Sequence, residues 1–204
     1  MPLPYPVSFT CSCGTQNTGE AERSWRANDP ATLERLLTNN FHRYTCTSCG
    51  RSIGLELDLL VIHHEPMWII QVVREDAKLQ SAIDSVKQMA PEAKARVVAN
   101  RMELMERVRI FTAGLDDVAL EIARLFREVT IVDPQPGTRL WFERVDGDQI
   151  VFTAVTPTKV LGQIKSPVAM LEKIAREYQT ARYAQFSIVD RGLAIKITEA
   201  PKPA

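Results

Sequence analysis

Thr10 to Gly14 reads TCSCG, and Thr45 to Gly50 reads TCTSCG. These two stretches hold all four cysteines of the chain, and each ends in Cys-Gly. A C-x-x-C turn presents two thiolates from one tight loop whose backbone N–H groups point at the sulfurs. A following glycine takes positive φ and lets the chain leave without a Cβ clash. Cys46, Cys49 and Gly50 fit this pattern. Cys11, Cys13 and Gly14 form a shorter version, whose i, i+2 spacing can place both thiols on one side of a kinked segment. Two such loops, far apart in sequence and close in space, make a four-cysteine ribbon. Structural Zn²⁺ takes four ligands in a tetrahedron, at about 2.3 Å from each thiolate. The expected ligands are Cys11, Cys13, Cys46 and Cys49, and the expected ion is zinc. Iron in a rubredoxin-like site would use similar ligands. His42, four residues before Cys46, is the best substitute should one cysteine not take part.

The sequence around the pairs reads as an α+β protein. The region 1–75 is a zinc-ribbon-like β region with an inserted helix. VSFTCSCG enters as a strand and SWRAN reads as a returning one. Asn28 or Asp29 can cap a helix that starts at Pro30, where a missing N–H costs nothing. Leu33, Leu36 and Leu37 give its apolar face, and Asn39 and Asn40 break it. IGLELDLLVIHH and MWIIQVV follow as two apolar strands joined at Glu65-Pro66. The region 76–128 reads as helical. Leu79, Ile83 and Val86 form one stripe; Val97, Val98, Met102, Met105 and Val108 a second; Leu115, Val118, Ile122 and Leu125 a third. The methionines are expected in the core, and Glu92 to Arg109 reads as a solvated helix face. A linker at Asp133 to Gly137 precedes a small α+β domain, 138–199, with the order β-β-α-β-β. Its first hairpin turns at Asp146-Gly147, which supplies a type I′ turn. Pro167 opens its helix, and a second hairpin is expected to turn at Arg191-Gly192. The PKPA end is expected to fray.

The 204 residues carry 25 Lys+Arg and 25 Asp+Glu, so no global field draws the chain to nucleic acid or an anionic membrane. No signal-like segment and no span of membrane length is visible, so the expected location is cytoplasmic. Thiols stay reduced there, and clustered cysteines are metal ligands or redox groups more often than disulfides. A redox dithiol at Cys46 and Cys49 is one alternative. It would open a helix after a buried strand, whereas GRSIGLELDLLVI reads as strand. A nucleic-acid-binding ribbon is another, with Arg23, Arg26, Arg35, Arg43 and Arg51 near the site and Trp25, Phe41 and Tyr44 as stacking groups. An enzyme would need a cluster such as His63 and His64 with Asp116 or Asp117 in one pocket. Strand neighbours face opposite ways, however, and the aspartates read as a helix start. No phosphate loop, nucleophile elbow or zinc-protease motif is present.

The order C-x-C-G, N-D-P-x-x-x-E-x-L-L, F-x-x-Y-x-C-x-x-C-G and L-x-L-L resembles the bacterial CpXC domain family. LLVIHH at Leu59 to His64 and RMELMERVRIFTAGLDDVALEIARLF at Arg101 to Phe126 extend the resemblance, which spans about Val7 to Phe126. Ser12 and Thr47 stand where the family's name has proline, and the first pair is one residue short. The resemblance implies a metal-ligand role for Cys11, Cys13, Cys46 and Cys49. It brings no catalytic residue. The expected protein is therefore a non-catalytic zinc-binding adaptor with a structural four-cysteine site. Its expected partner is another protein or a second copy of itself, not a membrane.

Overall fold

The computed structural model describes residues 4–89, 91–131 and 135–200. The chain forms two compact units, Met1–Met105 and Glu106–Ala204. The PKPA end lies outside the described residues, as does Asp133-Pro134 of the expected linker.

Unit 1 starts with an antiparallel hairpin of β1 (Tyr5–Thr10) and β2 (Gln16–Ala21), whose turn carries the first cysteine pair. A short β3 (Ser24–Arg26) leads to α1 (Pro30–Leu37). Asp29 caps α1, accepting from Thr32 N at 2.9 Å, with Pro30 in the first turn. Asn28 bonds elsewhere. Its Oδ1 accepts from His64 N at 2.8 Å and ties the helix entry to a neighbouring strand. Asn39 ends the helix with φ 60°, a conformation asparagine tolerates. The second antiparallel pair, β4 (Arg43–Thr45) and β5 (Ser52–Gly54), carries the second cysteine pair. Next come β6 (Leu59–His64), β7 (Met67–Val72), α2 (Asp76–Met89) and β8 (Lys94–Val98). They build a mixed sheet in the order β3-β6-β7-β8. β7 and β8 are parallel, so α2 is the crossover of a β-α-β unit. Its Leu79, Ile83 and Val86 cover Ile69, Val73, Ala95 and Val97.

The segment Pro91–Phe111 departs from the expected continuous helix. Lys94–Val98 is strand, paired with β7 from Trp68↔Lys94 to Val72↔Val98. The helix α3 (Arg101–Thr112) starts only after Asn100. There Asn100 Oδ1 accepts from Glu103 N at 3.0 Å and Glu103 Oε2 accepts from Ala99 N at 2.9 Å. This reciprocal arrangement is a capping box, shifted by one residue on its second arm. The expected solvated face is also corrected: Arg96, Arg101, Glu106 and Arg107 are buried. Met105 is in the core as expected, but Met89 and Met102 are exposed. Arg101 acts as a clamp inside unit 1. Its guanidinium lies over the Phe41 ring at 3.9 Å and donates to the carbonyls of Phe41 and Asn39.

Unit 2 holds the rest of α3, then α4 (Asp117–Glu128), β9 (Arg139–Asp146), β10 (Gln149–Val155), β11 (Val160–Pro167), α5 (Val168–Glu177), a 3-10 turn (Thr180–Tyr183) and α6 (Arg191–Glu199). The α+β class holds, but the order β-β-α-β-β does not. Three antiparallel strands in the order β11-β10-β9 precede α5, and no second hairpin follows among the described residues. RGLAIKI is α6: Asp190 Oδ1 accepts from Leu193 N at 2.8 Å, and Leu193, Ala194 and Ile197 fall on one buried helical face. Gly192 does not take positive φ, as a hairpin turn at Arg191-Gly192 would favour. The first hairpin forms, but Asp146 pairs with Gln149, so its two-residue loop is Gly147-Asp148; only Gly147 takes positive φ, at 60°, and the type I′ turn expected at Asp146-Gly147 is not made.

The α4 helix packs on α5 and α6 and is buried almost all round. That burial takes charges inside. Arg124 Nη2 lies 2.6 Å from Glu106 and its Nη1 3.1 Å from Glu121. Arg107 lies 3.4 Å from Asp117 and 3.7 Å from Glu121. Glu106 also accepts from Phe142 N at 2.6 Å, which pins β9 to the helices. Burial pushes the Glu121 carboxyl above its ordinary range, and the Arg124 and Arg107 charges only partly offset this. A carboxyl raised on folding binds its proton more tightly in the folded state. Its contribution to stability is therefore full below the unfolded value of about 4.3 and is lost as pH rises through the folded value. Glu121→Gln should remove that part of the pH dependence. Urea midpoints measured at several pH values should show a shallower fall with rising pH in the variant than in the parent.

Candidate metal centre

Each cysteine pair sits in a turn closed by the same backbone bonds. In the first, Gly14 N donates to Cys11 O at 2.8 Å and Cys11 N to Thr15 O at 2.9 Å. In the second, Gly50 N donates to Cys46 O at 3.0 Å and Cys46 N to Arg51 O at 2.9 Å. Gly14 and Gly50 take φ of 87° and 70°, the region glycine enters without steric cost. The shortened C-x-C loop thus builds a knuckle of the same kind as the C-x-x-C loop.

The two knuckles bring all four sulfurs together. Every pair among Cys11, Cys13, Cys46 and Cys49 lies within 4.8 Å, with Cys11–Cys49 at 3.6 Å and Cys13–Cys46 at 3.7 Å. A disulfide would need about 2.05 Å. A tetrahedron with zinc–thiolate bonds of about 2.3 Å has edges of about 3.8 Å. The cysteines are free thiols at the spacing of that tetrahedron, and the donor set fits a thiolate-bound dication. Cys11 and Cys46 are buried, whereas Cys13 and Cys49 are exposed.

Backbone N–H groups of Cys49 and Ser48 bring the Cys46 thiol down to about 6. The Thr15 side chain and then its N–H lower Cys13. For Cys49 the Arg51 N–H pulls downward, but the sulfurs of Cys11, Cys13 and Cys46 outweigh it and push the thiol up to about 11. Four sulfurs this close ionise together only against a positive charge, which a metal ion supplies.

Asn17 carries no sulfur, and cysteine spacing does not reveal it. It is 5% exposed within β2. Its Nδ2 donates to Cys46 Sγ at 3.6 Å and to Thr15 O at 3.0 Å, and its Oδ1 accepts from Thr47 N at 2.9 Å and Thr47 Oγ1 at 3.0 Å. One side chain on the first hairpin therefore holds the second knuckle in place. A buried asparagine in a strand is the one signal available. Ser12 and Arg51 make a further bond between the knuckles. Close packing aligns the hairpins: Tyr44 lies so near Gly19 that a Cβ there would come within 2.6 Å of its ring. Partners of this kind commonly tune metal affinity by roughly 10- to 100-fold. Asn17→Ala should weaken metal binding by about tenfold or more, read by competition with a chromophoric chelator.

His42 stands outside the four-cysteine cluster. It is 5% exposed, packs edge-on against Trp25 and Phe41, and places Nε2 at 3.3 Å from Glu22 O. His63 stacks on Trp68, its cross-strand partner, while His64 is exposed. Asp116 caps α4 through Val118 N and Ala119 N, and Asp117 is buried against Arg107. Among the proposed stacking groups, Trp25 and Phe41 are 5% and 3% exposed and belong to the core. Tyr44 packs on Phe9 and donates to Glu20 O at 2.9 Å. Among the described residues, the four cysteines are the one group of His, Cys, Asp or Glu arranged to hold a metal ion. No helix among them is long and apolar enough to cross a membrane.

A family model described as CpXC protein matches residues 9–124, the stretch that carries both knuckles. No curated protein and no solved structure shows significant similarity to the chain.

Proposed function

The chain belongs to the CpXC family, whose model covers more than half of it, and from that premise we propose a non-catalytic zinc-binding protein. Cys11, Cys13, Cys46 and Cys49 would hold one Zn²⁺ and so fasten the β1-β2 and β4-β5 hairpins together. The observation that carries this reading is the spacing of the four sulfurs, 3.6 and 3.7 Å for the closest pairs. Four protein thiolates leave no open coordination position for water or substrate, so the ion's contribution is structural. Reduced thiols in this arrangement suit the bacterial cytoplasm.

The adaptor role rests on unit 2. β11 is an edge of its sheet and exposes Val160 and Leu161, and an open edge strand is a template for pairing with another chain. Nucleic acid is the weaker reading, because the core holds Trp25 and Phe41 and the charge is balanced. A dithiol at Cys46 and Cys49 is also weaker, because the pair leads into β5 and not into a helix.

The test is elemental mass spectrometry of the full chain purified without chelator. The expected result is about one zinc per chain. Iron in its place would overturn the choice of metal but keep the site. Metal-free protein with four titratable thiols, or with a disulfide, would overturn the ribbon and favour redox chemistry.

A further inference from the structure

The same four sulfurs are grouped in a way that holding an ion does not require. Their two close contacts run between the knuckles: Cys11 Sγ lies 3.6 Å from Cys49 Sγ, and Cys13 Sγ lies 3.7 Å from Cys46 Sγ. Each contact joins the turn of the β1-β2 hairpin to that of the β4-β5 hairpin. Each also joins an exposed residue to a buried one, Cys49 to Cys11 and Cys13 to Cys46. A small oxidant in solution meets the exposed member first, and the buried member of the other hairpin stands beside it. An accessible thiol with a second thiol poised to resolve it is the arrangement of a reversible oxidation site.

Contacts that involve no sulfur set this register. Asn17 Oδ1 of β2 accepts from Thr47 N at 2.9 Å and from Thr47 Oγ1 at 3.0 Å. Tyr44 of β4 donates to Glu20 O of β2 at 2.9 Å, and its ring packs on Phe9 of β1 with centroids 5.4 Å apart. Closing either sulfur contact to a disulfide of about 2.05 Å takes an approach of about 1.6 Å. A disulfide inside one knuckle would join Cys11 to Cys13, or Cys46 to Cys49, and fasten nothing between the hairpins.

We propose that the cluster is a site of reversible oxidation by hydrogen peroxide, which closes two disulfides between the hairpins, Cys11–Cys49 and Cys13–Cys46. The proposal rests on the four-thiolate reading of the site. The Cys49 thiolate attacks the peroxide: an S–O bond forms, the O–O bond breaks, the sulfur loses two electrons and hydroxide leaves. The Cys11 thiolate then attacks Cys49 Sγ: the S–S bond forms, the S–O bond breaks and a second hydroxide leaves. Cys13 and Cys46 repeat both steps with a second peroxide. Disulfide sulfurs are not thiolates, so a dication held by the four is set free. The two bridges span the same hairpins that the ion spans. The oxidised chain therefore gives up its metal and keeps its fold, whereas the reduced chain stripped of metal loses the hairpins.

The test treats the full chain as purified, its zinc content measured beforehand, with hydrogen peroxide beside a chromophoric chelator. The expected result is release of the ion and its rebinding after dithiothreitol. Tryptic digestion with free thiols blocked then separates residues 1–23, which hold Cys11 and Cys13, from residues 44–51, which hold Cys46 and Cys49. The two peptides should be recovered as one disulfide-linked species, and fragmentation between Cys46 and Cys49 should place Cys11 on Cys49. Hydrogen exchange across residues 5–54 should stay at least about tenfold slower in the oxidised chain than in the reduced chain stripped of metal. Peptides each closed on themselves, sulfinic or sulfonic acids without linkage, or loss of that protection on oxidation would overturn the proposal. So would an ion that stays bound in excess peroxide. Zinc content before treatment tests the ribbon, and the linkage is read equally on reduced, metal-free chain, so the two readings fail separately.

Discussion

On the zinc-site reading proposed above, Cys46→Ser should abolish zinc binding and melt the cysteine hairpins while leaving the second unit folded. Cys46 is the buried sulfur that takes the most help from its surroundings: the N–H groups of Cys49 and Ser48, and Asn17 Nδ2. A serine hydroxyl at this point is not a thiolate and is a poor ligand for a soft site. Binding free energy at a structural zinc site is folding free energy for whatever the ion fastens. The expected zinc content falls from about one ion per chain to near zero, with a drop in Tm of about 10 °C or more. Hydrogen exchange should accelerate across residues 5–54, and β9 to β11 should keep their protection, because that sheet has its own buried core of Leu140, Phe142, Ile150 and Phe152. Unchanged zinc content and Tm in Cys46→Ser would sink the four-cysteine site.

Arg124→Met should destabilise unit 2 by about 3–5 kcal/mol, the usual cost of removing one partner from a buried ion pair. For a chain of this length that is a fall in Tm of about 10 °C. Methionine fills much of the arginine volume, so the loss is mainly one of charge. It takes the cation from Glu106 and leaves Glu121 with Arg107 alone, at 3.7 Å; the two carboxylates are 2% and 4% exposed. Burial already raises the Glu121 carboxyl and Arg124 opposes this, so without Arg124 it should rise further and the loss should deepen as pH rises. Adding Glu106→Gln and Glu121→Gln should recover part of it. Urea denaturation followed by Trp141 fluorescence reads the effect. A single variant within about 0.5 kcal/mol of the parent would show that the cluster contributes nothing net.

The devices legible in the sequence are those that act within a few residues. Cys-Gly at the end of each pair announces both knuckles, Asp29-Pro30 announces α1, and Asp146-Gly147 announces a hairpin. Each signal is a local backbone requirement; the knuckles and α1 form where expected, and the hairpin turns one residue later, at Gly147-Asp148. What escapes depends on distant partners. Ala95 to Val98 is an apolar run too short to separate strand from helix by periodicity, and its parallel pairing with β7 decides the matter. Asn100-x-x-Glu103 does carry the start of α3, but the valines before it look like earlier turns of the same helix. RGLAIKI misleads because Arg-Gly suggests a turn, whereas Asp190 one residue earlier is the cap. At the site, the ligand types are legible, but Asn17 is not. Its two bonds to Thr47 span 30 residues, and no spacing rule reaches that far.

Each knuckle offers one sulfur to the interior and one to water: Cys11 and Cys46 inside, Cys13 and Cys49 outside. A competing chelator or an acceptor protein can reach a held ion only from the outer pair. Those two sulfurs belong to different hairpins, so the two left behind do as well. An ion stripped of its outer ligands would still bridge Cys11 of one hairpin to Cys46 of the other. Release would then run through an intermediate in which the hairpins remain tethered, and the last step of removal, not the first, would be the one that frees them.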